Sequence, residues 1–353
     1  MQGKKIKRAT LRDIAQVVGV SPAAVSMALN DKGNLAPKRR EEIKRVAAEL
    51  NYQPNSMARA LRGGSSKSIG VVINFFNNAF FRSFFKGLER VTDARGFSFW
   101  ASQSRDTLKK EREQVATLAE HGMDGLIVLP CSQRASHFEM VAQRYGIPVV
   151  LISHCIEDRF AAVVADNLRG ARLATRHLLS LDDRPVLHVA GPPHKSALEQ
   201  RRQGFCRTMA EARPDFSEER SVFQVESLRA EDGYGVMPVI LERYAPPFSL
   251  FVVNDETALG VLQFCREKGL RLPEDVAVVG FSDIDILETL GIALTTVRIP
   301  AEVMGETAAN ILIDLMEHPE KRACPPVVTL PVSLVVRGST VGTSPRNNVL
   351  ERA

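Results

Sequence analysis

Apolar residues recur at helical spacing in the first fifty positions and at strand spacing beyond residue 68. Leu11, Ile14, Ala15 and Val18 fall three and four apart, which predicts a helix from Leu11 to Val18. Thr10 stands before it as N-cap, and Asp13 lies in the first turn, where negative charge suits the helix dipole. Gly19 ends the helix and Val20 serves as an apolar plug. Ser21 and Pro22 restart a helix, as N-cap and first-position proline, that runs to about Leu29. Ala24, Val25, Ala28 and Leu29 form its inner face. Two short helices joined by a glycine-containing turn make a helix-turn-helix pattern. Ile43, Val46, Ala47 and Leu50 predict a third helix from about Pro37 to Leu50, completing a small all-α headpiece. Asn51 to Pro54 breaks the pattern. Asn55 to Arg62 predicts one more short helix, and Gly63 to Ser66 reads as a linker.

From Ser68 short β-branched runs alternate with helix-length segments. Strands are predicted at about Ser68–Ile73, Phe97–Ser102, Gly125–Leu129, Pro148–Ile152 and Val163–Ala165. A second series falls at Pro185–Ala190, Val222–Val225, Leu250–Asn254 and Val276–Phe281. This βαβ alternation predicts an α/β body of two doubly wound parallel-sheet lobes, each covered by helices. Such folds bind ligands outside the C-terminal ends of their strands, so the cleft between lobes is the expected binding site. The predicted organisation is a headpiece over 8–54, a hinge helix and linker over 55–67, the two-lobed body over 68–340 and a polar, disordered tail over 341–353, starting near Thr340.

Charge sharpens this division. The net charge of +5 hides 13 Lys and Arg against 5 Asp and Glu in residues 1–65, with an acidic excess in the rest. A basic, helically patterned head fits an anionic polymer as partner. The five cysteines, Cys131, Cys155, Cys206, Cys265 and Cys324, form no C-x-x-C pair and read as buried free thiols. His154 beside Cys155 does not make a metal site, since neighbours in a strand face opposite ways. No metal and no cofactor is expected. No apolar run approaches a membrane span, so no membrane partner is expected and the protein reads as cytoplasmic. Glycine-rich nucleotide loops, H-E-x-x-H and G-x-S-x-G are missing, which argues against an enzyme.

A recognition helix starting at Ser21 presents Pro22, Ala23, Ser26 and Met27 outward. These side chains are mostly apolar and supply no guanine-reading fork, although they suit thymine methyl groups. Ser21, Ser26 and the helix N-terminus suit phosphates, with Lys4, Lys5, Lys7 and Arg8 adding charge.

The ordered set Thr10-Leu11-Arg12-Asp13-Ile14-Ala15, Gly19-Val20-Ser21, Val25-Ser26, Leu29-Asn30, Leu50-Asn51-Tyr52-Gln53-Pro54-Asn55 and Ala58-Arg59-Ala60-Leu61 resembles the LacI/GalR family of bacterial transcriptional regulators. Asp166-Asn167, Arg201 with Gly204-Phe205, Asn254-Asp255, Val279 to Asp283 and the crossover segment Leu294 to Val297 extend the resemblance through the body. It implies a repressor of a carbohydrate-utilisation operon, binding palindromic double-stranded operator DNA as a homodimer. It implies DNA contacts from Thr10, Leu11, Ser21, Pro22, Ala23, Ser26, Met27, Asn30, Asn55, Ala58 and Leu61, with Leu61 as a minor-groove wedge on a hinge helix. Many relatives carry Arg where Met27 stands, so the operator is expected to differ at that base pair. The resemblance implies a small-molecule effector, a sugar or sugar derivative, held by Phe80, Phe81, Ser153, Lys195, Ala197, Arg201, Leu228, Asn254 and Ser282. Arg201 is the leading candidate, and only one of Phe80 and Phe81 is expected to face the cleft. Ser282 replaces a common ligand-gripping Asp, while Lys195 and Arg201 form a basic cluster. An anionic sugar derivative, a neutral sugar and a pocket without effector all remain open, as does activation in place of repression.

Overall fold

Thr10 and Asp13 begin the first helix by capping each other. The backbone N–H of Thr10 donates to Asp13 Oδ2 at 2.7 Å, and that of Asp13 donates to Thr10 Oγ1 at 3.3 Å. This reciprocal pair satisfies donors that a helix start leaves unmade. The computed structural model describes residues 9–29, 31, 33, 35–52, 65–156 and 159–341, and its contacts divide at Ser66 into two units. The predicted hinge helix over 55–62 lies outside the described residues, as does most of the predicted tail.

The first unit holds α1 (Leu11–Val18), α2 (Pro22–Leu29) and α3 (Pro37–Glu49). Gly19 takes a left-handed φ of 71°, which ends α1 and turns the chain toward α2. Ile14, Val18, Val25, Ala28, Ile43 and Val46 close a small core of their own. Replacing Thr10 by alanine is expected to cost about 1 kcal/mol of local helix stability. Hydrogen exchange on the full chain should then speed up about five-fold at the first-turn amides of α1. Unchanged exchange there would show that the cap contributes nothing.

The second unit is two-lobed. Its first lobe runs β1 (Ser68–Ile73), α4 (Phe80–Arg95), β2 (Ser98–Gln103), α5 (Leu108–Glu120), β3 (Gly125–Val128), α6 (Ser136–Tyr145), β4 (Val149–Ile152) and β5 (Ala161–Ala165). The chain then crosses to α7 (Asn167–Leu179), β6 (Val186–Ala190), α8 (Ser196–Ala212), α9 (Glu218–Ser221), β7 (Val222–Gln224), α10 (Ala230–Leu241), β8 (Phe248–Val252), α11 (Asp255–Lys268), β9 (Val276–Ser282), α12 (Ile286–Thr289) and β10 (Thr295–Arg298). It returns to the first lobe with α13 (Ala301–Glu317), a 3-10 turn (Pro319–Ala323) and β11 (Val327–Leu330). It crosses a last time into β12 (Ser333–Val335) and α14 (Gly338–Val341). The strand orders are β11-β5-β4-β3-β1-β2 and β12-β10-β9-β8-β6-β7. The two orders correspond, so the lobes repeat one architecture.

The predicted strands form, with ends shifted by at most two residues. The largest shift is at Leu250–Asn254, where the strand is Phe248–Val252 and Asn254 instead caps α11, accepting from Thr257 N at 2.9 Å. Asparagine offers the backbone a local acceptor and so favours caps over strands. Val327–Leu330 and Ser333–Val335 were not anticipated as strands. They are short edge strands that gain their hydrogen bonds from partners far away in sequence. The second sheet is also not wholly parallel, because β12 pairs antiparallel with β10. Thr340, expected to begin a disordered tail, is buried in α14 and bonded to His177 and Thr295. Cys324 is exposed, against the expectation of buried thiols throughout. His154 and Cys155 follow β4 and do not lie in a strand. No group of three or more metal-binding side chains occurs among the described residues. Among them, no helix is long and apolar enough to cross a membrane.

Candidate functional site

The headpiece presents one outward face of α2. Pro22 and Ala23 are exposed, Met27 is 42% exposed and Ser26 is half-buried. Ser21 Oγ accepts from Ala24 N at 3.1 Å, so its side chain caps the helix. Met27 folds back toward Gly33, where a Cβ would meet its sulfur at 2.9 Å. Thr10 is exposed, with its hydroxyl engaged by Asp13, while Leu11 is half-buried against the headpiece core. Asn30, Asn55, Ala58 and Leu61 lie outside the described residues.

In the body, all nine expected effector residues line one cavity of about 590 Å³ between the lobes: Phe80, Phe81, Ser153, Lys195, Ala197, Arg201, Leu228, Asn254 and Ser282. Asn74, Leu129 and Ser153 follow β1, β3 and β4, and Asn254 and Ser282 stand at the ends of β8 and β9. The cavity therefore sits at the C-terminal ends of both sheets, where backbone and loop groups converge. Both Phe80 and Phe81 reach it, contrary to the expectation of one. Their rings pack edge to face at 5.4 Å, so Phe81 can be buried in the core and still border the space.

Arg201 is held firmly. It is 6% exposed; Nε donates to Asn167 Oδ1 at 3.0 Å, Nη1 donates to the Val253 carbonyl at 2.6 Å, and the guanidinium lies 3.8 Å over the Phe281 ring. These contacts tie α8 to the start of α7 and the end of β8. Burial opposes its charge and lowers its pKa, and Asp255 pulls in the other direction. No carboxylate stands at ion-pair distance from Arg201 among the described residues. A planar fork fixed in this way keeps its remaining donors aimed with little entropy left to lose.

The basic cluster expected from Lys195 and Arg201 does not form as such. Lys195 is buried and its ammonium donates to the carboxylate of Asp106, which reaches over from the other lobe. Asp106, Asp255, Glu256 and Asp285 all border the cavity, and only Asp255 was marked in the sequence, as part of the Asn254-Asp255 landmark. Asp106 and Asp285 occupy loops without a motif. Asp255 carried a signal in its place beside Asn254. It is fully buried, accepts from Thr296 Oγ1 at 2.5 Å and from Ile284 N at 3.0 Å, and burial pushes its pKa up to about 6. Ser83 Oγ donates to Asp285 Oδ2 at 2.9 Å across the cleft.

Asp283 does not make up for the missing acid at Ser282. Both residues have positive φ, 133° and 56°. Asp283 accepts from Arg298 Nε at 2.6 Å and pairs with Arg337 Nη1 at 2.8 Å, away from the cavity. His154 also borders the space. Its Nδ1 accepts from Ala197 N at 3.3 Å, and burial followed by the nearby Lys195 and Arg201 charges lowers its pKa to about 3, so the ring is neutral.

Residues 10–55 match the model of bacterial regulatory proteins of the lacI family, and residues 175–340 match a periplasmic binding protein-like domain. The chain thus joins a lacI-family DNA-binding domain to a periplasmic binding protein-like domain. It is 29% identical over 333 residues to a ribose operon repressor of Halalkalibacterium halodurans, covering 94% of this chain and 97% of that one. It is 29% identical over 308 residues to the HTH-type transcriptional repressor PurR of Vibrio atlanticus, covering 87% and 91%. Among solved LacI-family structures, the Lac repressor dimer bound to operator and the anti-inducer ONPF superposes with a TM-score of 0.81 at 26% identity, over 95% of this chain and all of that one. A regulator from Enterococcus faecium with bound ribose gives 0.69 at 26% identity, over 78% and 100%.

Proposed function

We propose that this LacI-family chain is a transcriptional repressor, and not an enzyme, that grips a two-fold operator as a homodimer with an affinity modulated by a small polar ligand in the inter-lobe cavity. The observation that carries the reading is the convergence of nine residues from both lobes on one cavity, in a chain that also carries a capped helix-turn-helix. The names of its relatives, and the operator and ribose in the solved structures, support both halves. The protein acts in the cytoplasm, where operator DNA is found.

Pro22, Ala23 and Met27 read bases in the major groove, and Thr10, Leu11, Ser21 and Ser26 hold the backbone through hydroxyls and helix-start N–H groups. Asn30, Asn55, Ala58 and Leu61 complete the contact set, with Leu61 as wedge. Headpiece 8–54, hinge 55–67 and body 68–340 divide these tasks. In the cavity, Arg201, Lys195, Asn254, Ser153 and Ser282 direct hydrogen bonds at the ligand, while Phe80, Phe81, Ala197 and Leu228 pack against its apolar faces. A ligand bridging the lobes changes their closure, and coupling of ~1–3 kcal/mol changes operator affinity about 5–150-fold.

Selection of DNA from a random pool by the full chain is expected to enrich an inverted repeat, with half-sites about one helical turn apart. Met27→Arg should then shift preference at one base pair per half-site, by ~1–3 kcal/mol. A bound set without two-fold symmetry would overturn the operator reading.

A further inference from the structure

Asp106 and Lys195 come from opposite lobes, 89 residues apart in sequence, and meet on the wall of the cavity. Lys195 has a side chain only 6% exposed, and that of Asp106 is 32% exposed. Asp106 gains its position from an unusual turn. Arg105 and Asp106 have φ of 51° and 58°, left-handed values that ordinary residues adopt at a cost. The turn is pinned by Ser104 N to the Ile73 carbonyl at 2.7 Å, by Arg105 N to the Asn74 carbonyl at 2.9 Å, and by Asp106 N to Ser104 Oγ at 3.3 Å. Consecutive strained residues held by their surroundings are found where a side chain must be aimed.

We propose that Asp106 is the residue that sets the charge selectivity of the cavity, by neutralising Lys195 so that the site accepts uncharged ligands and rejects anions. The proposal rests on the reading of this cavity as the ligand site. On the remaining wall two cations, Arg82 and Arg201, stand against three carboxylates, Asp255, Glu256 and Asp285. Arg201 already donates to Asn167 and Val253. Asp255, Glu256 and Asp285 add negative charge around the same space. An anion that entered would face these carboxylates and would have to take Lys195 from Asp106. An uncharged hydroxyl-bearing ligand can donate to the carboxylates and accept from Lys195 and Arg201 without breaking the pair. A buried cation freed of its carboxylate, in contrast, needs a new anion.

The test uses the full chain, with inorganic phosphate and sulfate as probes in isothermal titration. Asp106→Asn keeps the side-chain shape and removes the charge. It is expected to bind phosphate at least about ten-fold more tightly than the unaltered chain. Asp106→Glu should behave like the unaltered chain, and Asp106→Asn with Lys195→Met should lose the gain. Thermal melts of each variant confirm that the compared chains are folded. If Asp106→Asn binds phosphate no better, or if the gain survives loss of Lys195, the proposal is wrong. Operator binding separates this result from the wider reading. A phosphate gain with no effect of phosphate on operator affinity leaves the selector standing and overturns the effector role of the cavity.

Discussion

Gly87→Ala is expected to disrupt the first lobe. Gly87 on α4 lies against the Glu302 backbone of α13, and a Cβ there would stand 1.9 Å from the Glu302 carbonyl oxygen. Gly305 on α13 lies reciprocally against α4, with its Cβ position 2.0 Å from the Phe84 carbonyl oxygen. Both obstacles are backbone atoms, so no side-chain rotation relieves them and the helices must separate. Separation would also pull apart Arg90 and its partners Glu302 and Glu306, and loosen Phe84 and Leu88 in the main core. Overpacking of this kind costs about 3 kcal/mol or more. For a body of this size that corresponds to a fall in melting temperature of roughly 6–12 °C. The exposed ion pairs contribute little to this sum. Gly235→Ala is the control, because nothing lies within 4 Å of its Cβ position. Equal melting temperatures for the two variants would show that the helix crossing is not held by this contact.

Acid should destabilise the body well before the exposed carboxylates titrate. His154 and His188 are fully enclosed, and burial is the largest cause that lowers their pKa values from 6.5 to about 3 and about 4. The unfolded chain takes up a proton on each near pH 6.5, while the folded chain does not. Their stabilisation is therefore fully present above pH 6.5 and is lost as pH falls toward 4. Asp255 works in the opposite direction. Its folded pKa of about 6 exceeds the ordinary 3.8, so the folded state holds a proton that the unfolded state has released. That group destabilises the fold at neutral pH, and the penalty is relieved as pH drops from about 6 to 4. Two histidines outweigh one aspartate, and the net loss between pH 6.5 and 4 is on the order of several kcal/mol. His188→Asn with His154→Asn should flatten the decline, since asparagine can keep a bond to the Phe251 carbonyl or from Ala197 N without titrating. Melting curves from pH 7.5 to 4.5 decide the matter. A double variant with an unchanged slope would assign the acid response elsewhere.

The same contrast between local and distant causes separates what could be read along the chain from what could not. The headpiece was legible because its signals are local. Thr10 and Asp13 are three residues apart, Gly19 follows its helix directly, and the apolar stripe of each helix repeats within one turn. The βαβ order and the two lobes were legible too, because buried parallel strands are nearly continuous runs of β-branched and aliphatic residues. The nine cavity residues came from a family resemblance, which carries spatial information that spacing alone does not.

The charges of the cavity were decided by tertiary structure alone. Lys195 looked basic in sequence because its partner Asp106 lies on the other lobe. Arg201 looked free to bind a carboxylate, yet two of its donors hold Asn167 and the end of β8. Asp283 directly follows Ser282 in sequence, yet two positive φ values turn it onto Arg298 and Arg337. The edge strands β11 and β12 escaped notice because their hydrogen bonds come from partners remote in sequence. The sequence by itself therefore determined most of the elements and the two-part plan, since these follow from local periodicity and capping, while the residues gathered at the cleft came through the family resemblance. Only the tertiary structure decided which of those residues are already neutralised, because charge compensation depends on distances across the lobes.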